Sequence, residues 1–395
     1  MSSTVVTATT ETTPRLETAA LVTLCLFAGA LQLSVAAAAA LLTLAWLFWA
    51  GALVSSRERL EVPSFFWALA AYAGFTMVSV MASIDPMASL ADSKEVLLFL
   101  VVPLVYRLAS GRWAPIVATI VISVGALNSV IGIWQYGILE FDTLGQRPQG
   151  SMGHYMTYSG LLMLVMCVAA ARVMFSGAER MWAALVLPAL MAALAVTLSR
   201  NAWVGACAGV GLLLVLKDRR LLAVAPVAVA IMLAVAPASV TDRVYSVFDL
   251  QDPTNRDRFA MWESGVHMIR DHPLTGVGPD MVQVVYPDYR VEGAVNETNP
   301  HLHNVPLHIA AERGLPALAL WLWFIVATTR ELFRGFKREV SRPLAAGGLA
   351  ALVAMLAAGM FEYNFGDSEF LMLLLVIVTL PAAAARRTDE GRVSA

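Results

Sequence analysis

APIVATIVISVGALNSVIGIWQYGI, residues 114–138, carries no Asp, Glu, Lys or Arg along its whole length. A stretch this long and this apolar fits a helix crossing about 30 Å of hydrocarbon, which needs near 20 residues. The rest of the chain follows the same pattern. Hydrophobic residues make up 58% and charged residues 14% of the 395, with a mean hydropathy of +0.69. A soluble domain needs a hydrated surface and does not carry that balance, so the sequence is that of an integral membrane protein.

Comparable runs predict about twelve spans, at 17–34, 36–54, 63–83, 95–106, 114–138, 156–174, 182–198, 202–216, 221–238, 305–329, 343–361 and 368–385. The runs are continuous and lack the period-2 alternation of a barrel wall, so the expected fold is all-α. Three segments result: 1–238 with nine spans, a long and partly helical loop over 239–304 carrying part of the active site, and 305–395 with three spans and a tail.

Twelve spans with a cytoplasmic N-terminus put 18 of the 27 Lys and Arg residues on the cytoplasmic side, including Arg57, Arg59, Arg172, Lys217, Lys337, Arg342, Arg387 and Arg392. Of the nine on the other side, only Lys94, Arg147 and Arg200 lie in short loops, where the positive-inside rule has force. Both termini are therefore expected inside and the long loop outside. The first 16 residues are Ser/Thr-rich and no small-residue cleavage site follows, so no cleaved signal peptide is expected. Cys25, Cys167 and Cys207 sit within apolar spans and are expected as free thiols.

All six histidines fall on the outward side, His154 in one polar stretch and His267, His272, His301, His303 and His308 in another. Histidine is the side chain best suited to proton transfer near neutral pH, so this gathering points to chemistry there. In the long loop, Thr254 or Asn255 is expected to cap a helix that runs to about Asp271 and stops before Pro273. Its stripe of Phe259, Trp262, Val266 and Ile269 suits the bilayer surface or a seat across the bundle.

Arg200 lies at the outer end of a span, where an arginine costs roughly 2.5 to 3.5 kcal/mol at mid-membrane depth unless it snorkels or is paired. Arg147 and Arg258 are further outward-facing arginines. A guanidinium matches phosphate oxygens in a bidentate way, and each charge-assisted bond contributes on the order of 1.5 to 3 kcal/mol. Converging, the three would suit a pyrophosphate; singly, each also fits a salt bridge or a headgroup contact. His303 suits a general base or a group orienting the acceptor, with capping of the tenth helix as the structural alternative. The H-x-H pair His301 and His303 could bind a metal if Asp280, Asp288 or Glu292 converged on it, but no metal is expected. Asn296-Glu297-Thr298 fits the glycosylation acceptor pattern, which is too short to assign a role. No Walker loop, dinucleotide fingerprint or G-x-S-x-G elbow occurs. No nucleotide, nucleic acid or cofactor is expected, and an outward site without ATP should use an already activated substrate.

Four stretches carry a family resemblance: RPQGSMGH at 147–154, TLSRNAWVG at 197–205, RDRFAMWESGVHMIRDHPLTGVGPD at 256–280 and HLHNVPLHIAAERGLP at 301–316. Together they resemble the O-antigen ligase (WaaL-type) family. The resemblance implies a bacterial inner-membrane glycosyltransferase with its active site facing the periplasm. It would move a polysaccharide from undecaprenyl pyrophosphate to a sugar hydroxyl of lipid A-core, without metal and with inversion. Arg147, Arg200 and Arg258 match the family arginines and would hold the pyrophosphate, while His303 matches the loop histidine before Asn304 and would activate the acceptor. GSMGH after Arg147 departs from the more usual run and leaves the role of His154 open, so His154, His301 and Asn304 are secondary candidates. Glu312 belongs to the motif and reads as structural. O-antigen polymerases and protein O-oligosaccharyltransferases share the architecture and stay open as alternatives. A lipid-linked substrate transporter is a further one, but it predicts charged or broken helices near mid-bilayer.

Overall fold

The protein is described here by a computed structural model covering residues 6–56, 60–177, 179–223, 225–246 and 252–393. Arg57, Arg59 and positions 247–251 of the long loop lie outside the described residues, as do the side chains of Arg387 and Arg392. The described residues are all-helical. In order the helices are α1 (Val6–Ala30), α2 (Val35–Ser56), α3 (Phe66–Met81), α4 (Pro86–Asp92), α5 (Val101–Leu108), α6 (Trp113–Gly137), α7 (Tyr155–Phe175) and α8 (Arg180–Val196). They continue as α9 (Arg200–Lys217), α10 (Ala225–Val235), α11 (Ala238–Tyr245), α12 (Pro253–Asp271), α13 (Val282–Tyr289), α14 (Val305–Lys337), α15 (Arg342–Ala358) and α16 (Ser368–Val393).

Every apolar run singled out in the sequence is helical over most of its length. Seven described helices are long and apolar enough to cross a membrane, namely α2, α6, α7, α9, α14, α15 (extended back to Glu339) and α16, while α3 and α8 are shorter apolar helices. Two expected spans are built differently. Residues 95–106 are divided between a 3-10 segment over Ser93–Leu100 and α5, and residues 221–238 hold only the 11-residue α10.

The centre of the bundle is α7, α15 and α16: 78%, 67% and 83% of their apolar windows are buried, against 22% for α2 at the edge. Between helices in hydrocarbon no hydrophobic drive remains, so close van der Waals approach must hold them. Gly205 and Gly209 of α9 supply it against α15. A Cβ on Gly205 would lie 2.6 Å from the Ala354 carbonyl oxygen, and one on Gly209 would lie 2.7 Å from that of Ala350.

The segment after α10 is a cap with its own small core of Met261, Met268, Val277, Met281, Val282, Val285, Tyr286, Leu302 and Ala311. Its main helix, α12, is capped by Asp252, which accepts from Thr254 N at 2.9 Å, with Pro253 in the first turn. The cap is thus two to three residues earlier than Thr254 or Asn255, because Asp is as good an acceptor and Pro fits the position whose N–H is unbonded anyway. Ala260, Met261, Ser264, Gly265 and Met268 form its buried face. Phe259 and Val266, half of the expected apolar stripe, stay exposed at 51% and 48%.

The cap is fastened to a break in α14. Gly314 has φ +80° and ψ 169°, so the helix is interrupted there, and Pro316 has no N–H to return to the Glu312 carbonyl. The freed groups find partners in the HPLTGVG turn: Val277 N donates to Ala311 O and Gly278 N to Glu312 O, both at 2.9 Å, and Leu315 N donates to Pro273 O at 2.9 Å. Backbone polar groups at this depth have to be satisfied within the protein. The turn can approach so closely only because position 276 is glycine. Its φ is +68°, and a Cβ would lie 2.2 Å from the Glu312 carbonyl carbon.

Candidate active site

The site lies where the N-terminal ends of α7, α9 and α14 meet the connection between α15 and α16. His301 and His303 precede α14, whose N-cap Asn304 accepts from Leu307 N at 3.0 Å and donates through Nδ2 to Met360 O at 3.2 Å. Val305 N donates to Gly359 O at 2.7 Å, so the histidine segment is bound directly to the α15–α16 connection. His303 sits at φ +46°, a conformation that costs a non-glycine residue about 1 to 3 kcal/mol.

The product of this arrangement is a two-histidine, one-carboxylate cluster. Glu362 Oε1 pairs with His301 Nε2 at 2.9 Å and Oε2 with His303 Nδ1 at 3.0 Å, with the imidazole centroids 4.3 Å apart. Tyr363 N also donates to Glu362 Oε1 at 3.0 Å. Burial works against ionisation of Glu362, but the hydrogen bonds from His301 and His303 outweigh it and hold the carboxyl well below the usual carboxylate range. An ionised carboxylate only accepts, so both facing ring nitrogens carry protons. In neutral His303 the lone pair is then on Nε2, which is the atom available as a base.

Beneath the cluster is a second polar layer. His308 Nδ1 accepts from Leu302 N at 3.3 Å, its Nε2 lies 3.1 Å from Glu312, and its ring lies 3.8 Å from that of Tyr363. Glu312 also accepts from Asp280 N at 2.9 Å and from Arg313 Nη1 at 2.5 Å, so it holds turn and helix together.

The arginines gather on the side of α12. Arg200 Nη1 donates to Ser246 O at 2.9 Å and its Nη2 lies 3.6 Å from Asp252, while Arg243 Nη1 lies 3.9 Å from the same carboxylate. The Arg147 guanidinium lies 4.2 Å from the ring centroid of Tyr155. Burial brings Arg243 down to about 10, helped by the charges of Arg200, Arg147 and Arg258. Burial likewise lowers Arg258, which feels Glu362 as an opposing attraction and Arg200 as a further repulsion. The four guanidinium groups thus share one electrostatic neighbourhood, and Arg258 connects it to the histidine cluster. Arg258 Nε is buried with no hydrogen-bond acceptor among the described residues, and Arg200 Nη2 has only the Asp252 carboxylate at 3.6 Å, beyond hydrogen-bond reach. Such donors cost about 1 to 3 kcal/mol each unless an anion or water accepts from them.

A cavity of about 190 Å³ opens beside the cluster, lined among others by His154, Thr157, Asn201, His301, Glu362 and Asp367. The structure therefore brings His154, His301, His303 and Asn304 to one site and Arg147, Arg200 and Arg258 beside it. It adds two residues the sequence reading missed, Glu362 and Arg243. The carboxylate that meets His301 and His303 is none of Asp280, Asp288 and Glu292 of the same loop but Glu362, about 60 residues later, in FEYNFGDSE. That short connection between two spans holds three carboxylates in a chain poor in charge, which was the available sign.

His301, His303 and Glu362 offer ligand atoms all within 4.8 Å of one another, a spacing a small divalent cation could use. The same atoms satisfy one another as hydrogen-bonded neighbours.

Residues 183–322 match the sequence model of a family described as O-antigen ligase, the family that the sequence motifs resemble. The matched segment contains Arg200, Arg243, Arg258, His301 and His303; Arg147, His154 and Glu362 lie outside it. No curated protein matches the chain.

Proposed function

We propose that this O-antigen ligase-like chain transfers a polysaccharide from undecaprenyl pyrophosphate to a sugar hydroxyl of lipid A-core at the periplasmic face of a bacterial inner membrane. The observation that carries the reading is the hydrogen bond from His303 Nδ1 to Glu362, set beside buried arginine donors. His303 Nε2 takes the proton of the acceptor hydroxyl as its oxygen bonds to the anomeric carbon. The bond from that carbon to the phosphate oxygen breaks, and the electron pair leaves with undecaprenyl pyrophosphate. Arg147, Arg200, Arg258 and Arg243 stabilise the charge that grows on the leaving group, which is stabilisation specific to the transition state. A positioned base contributes about a hundred- to ten-thousand-fold. Glu362 fixes the ring and its tautomer and stabilises the imidazolium that forms. No metal is required in this scheme, and attack from the face opposite the leaving group inverts the anomeric centre.

Transfer from undecaprenyl-pyrophosphate polysaccharide to lipid A-core by the purified protein, in EDTA, tests the reading. Wild-type transfer that His303→Ala abolishes supports it. A folded wild type that extends the lipid-linked chain instead, or that glycosylates a protein, assigns the acceptor differently.

A further inference from the structure

We propose that a basic, aromatic pocket at the pole opposite the histidines binds the phosphate headgroup of an anionic phospholipid. Four helix ends form it: Phe175 closes α7, Leu216 and Lys217 close α9, Phe336 and Lys337 close α14, and Arg342 opens α15. The opposite ends of the same four helices flank the histidine site. At 1.5 Å per residue the 21-residue α7 separates the two poles by about 30 Å.

The pocket has a volume of about 480 Å³, and its lining contains three cations and no carboxylate. Two cations are held in place by the backbone. Lys217 Nζ donates to Met174 O at 2.8 Å, and Arg342 Nε donates to Phe336 O at 3.2 Å, which leaves the Arg342 Nη groups for another acceptor. Asp218 and Glu339 adjoin these cations in sequence without lining the pocket, and Asp218 accepts from Arg220 N at 2.9 Å. The floor is apolar, with Phe175 and Phe336 edge to face at 5.4 Å.

Phosphate is the chemistry such a set recognises, as a bidentate acceptor for Arg and a point charge for Lys. What favours a lipid over a soluble phosphate ester is the surface just below. Phe333 on α14, 42% exposed, stands one turn before Lys337 on the same helix face, and the half-buried Leu212 on α9 one turn before Leu216, on helices that run into the hydrocarbon. An acyl chain would lie along them while its phosphate meets Lys217, Lys337 and Arg342.

Native mass spectrometry of the full-length protein in detergent, titrated with phosphatidylglycerol and separately with phosphatidylcholine, tests the assignment. The expected result is at least tenfold tighter binding of phosphatidylglycerol, reduced about tenfold in Lys217→Gln/Lys337→Gln/Arg342→Gln at an unchanged unfolding temperature. Should that variant fail to fold, Lys337→Gln alone is expected to weaken phosphatidylglycerol binding about threefold. An unchanged preference in the folded variant overturns the proposal, as does equal binding of the two lipids. Displacement of phosphatidylglycerol by millimolar glycerol 1-phosphate would make the ligand a soluble phosphate ester and overturn it too.

Discussion

Glu362 and His303, 59 residues apart, meet through a 3.0 Å hydrogen bond from Nδ1 to Oε2 that selects the ring nitrogen left for chemistry. Replacing the carboxylate by a carboxamide keeps the shape but removes one of two acceptors and the charge. In Glu362→Gln the rate of glycan transfer should fall about ten- to a thousandfold with little change in donor KM, measured by initial rates on purified protein. Glu362→Asp should recover part of the loss, since the charge returns at a longer reach.

The same residue sets a pH expectation. Its carboxyl is held below the usual range in the folded protein, against about 4.3 in an unfolded chain. A depressed carboxylate contributes stability that is fully present above the unfolded value and is lost as pH falls through the folded one. Amides of residues 301–305 and 359–363 should therefore keep their hydrogen-exchange protection at pH 5 and lose it only well below pH 4. Loss already at pH 5 would mean that the histidines do not hold the carboxylate ionised.

Arg243 and Arg258 should separate charge from geometry. Lysine preserves the charge at either position and abolishes the bidentate fork. Arg258→Lys and Arg243→Lys should each lower the transfer rate about ten- to a hundredfold, equivalent to losing one charge-assisted bond. Binding of undecaprenyl pyrophosphate, followed as product inhibition, should weaken in step.

Gly276→Ala should unfold the join between cap and bundle. The new Cβ would enter the Glu312 backbone at 2.2 Å from a residue already at φ +68°, and no side-chain rotation relieves that. Destabilisation of at least about 3 kcal/mol is expected, read as a lower unfolding temperature with loss of transfer. Gly293→Ala, at φ +95° with nothing within 4 Å, supplies the control for strain without a clash and should cost less.

Metal should act at this site as an inhibitor. EDTA should leave transfer unchanged, whereas micromolar Zn²⁺ should slow it by binding the His303 nitrogen that faces Glu362, which puts the ring proton on Nε2 and removes the base. Glu362→Gln should blunt the inhibition. Stimulation by Zn²⁺ of an EDTA-stripped enzyme would contradict the scheme.

The helices were legible because hydrocarbon demands long apolar runs, and a run such as 114–138 has no other use. His303, Asn304 and the three arginines were legible because they stand in short motifs. Glu362 was not tied to the histidines, since they lie about 60 residues away and the carboxylates of FEYNFGDSE do not say which element they meet. Arg243 was hidden by the same difficulty, as its place beside Arg200 depends on how α11 folds back. The break in α14 was written in Gly314 and Pro316 but reads as a tolerable pair within an apolar run until the HPLTGVG turn is seen filling it.

That break divides a 33-residue rod into two pieces with different allegiances. The lower piece, 315–337, carries the apolar length that suits a bilayer. Residues 305–313 are clamped instead to the cap and to the α15–α16 connection, and they carry His303 and its carboxylate as a single mounting. The turn grips both sides of Gly314, Ala311 and Glu312 on one and Leu315 on the other, so the imidazole takes its aim from the cap as well as from the shaft.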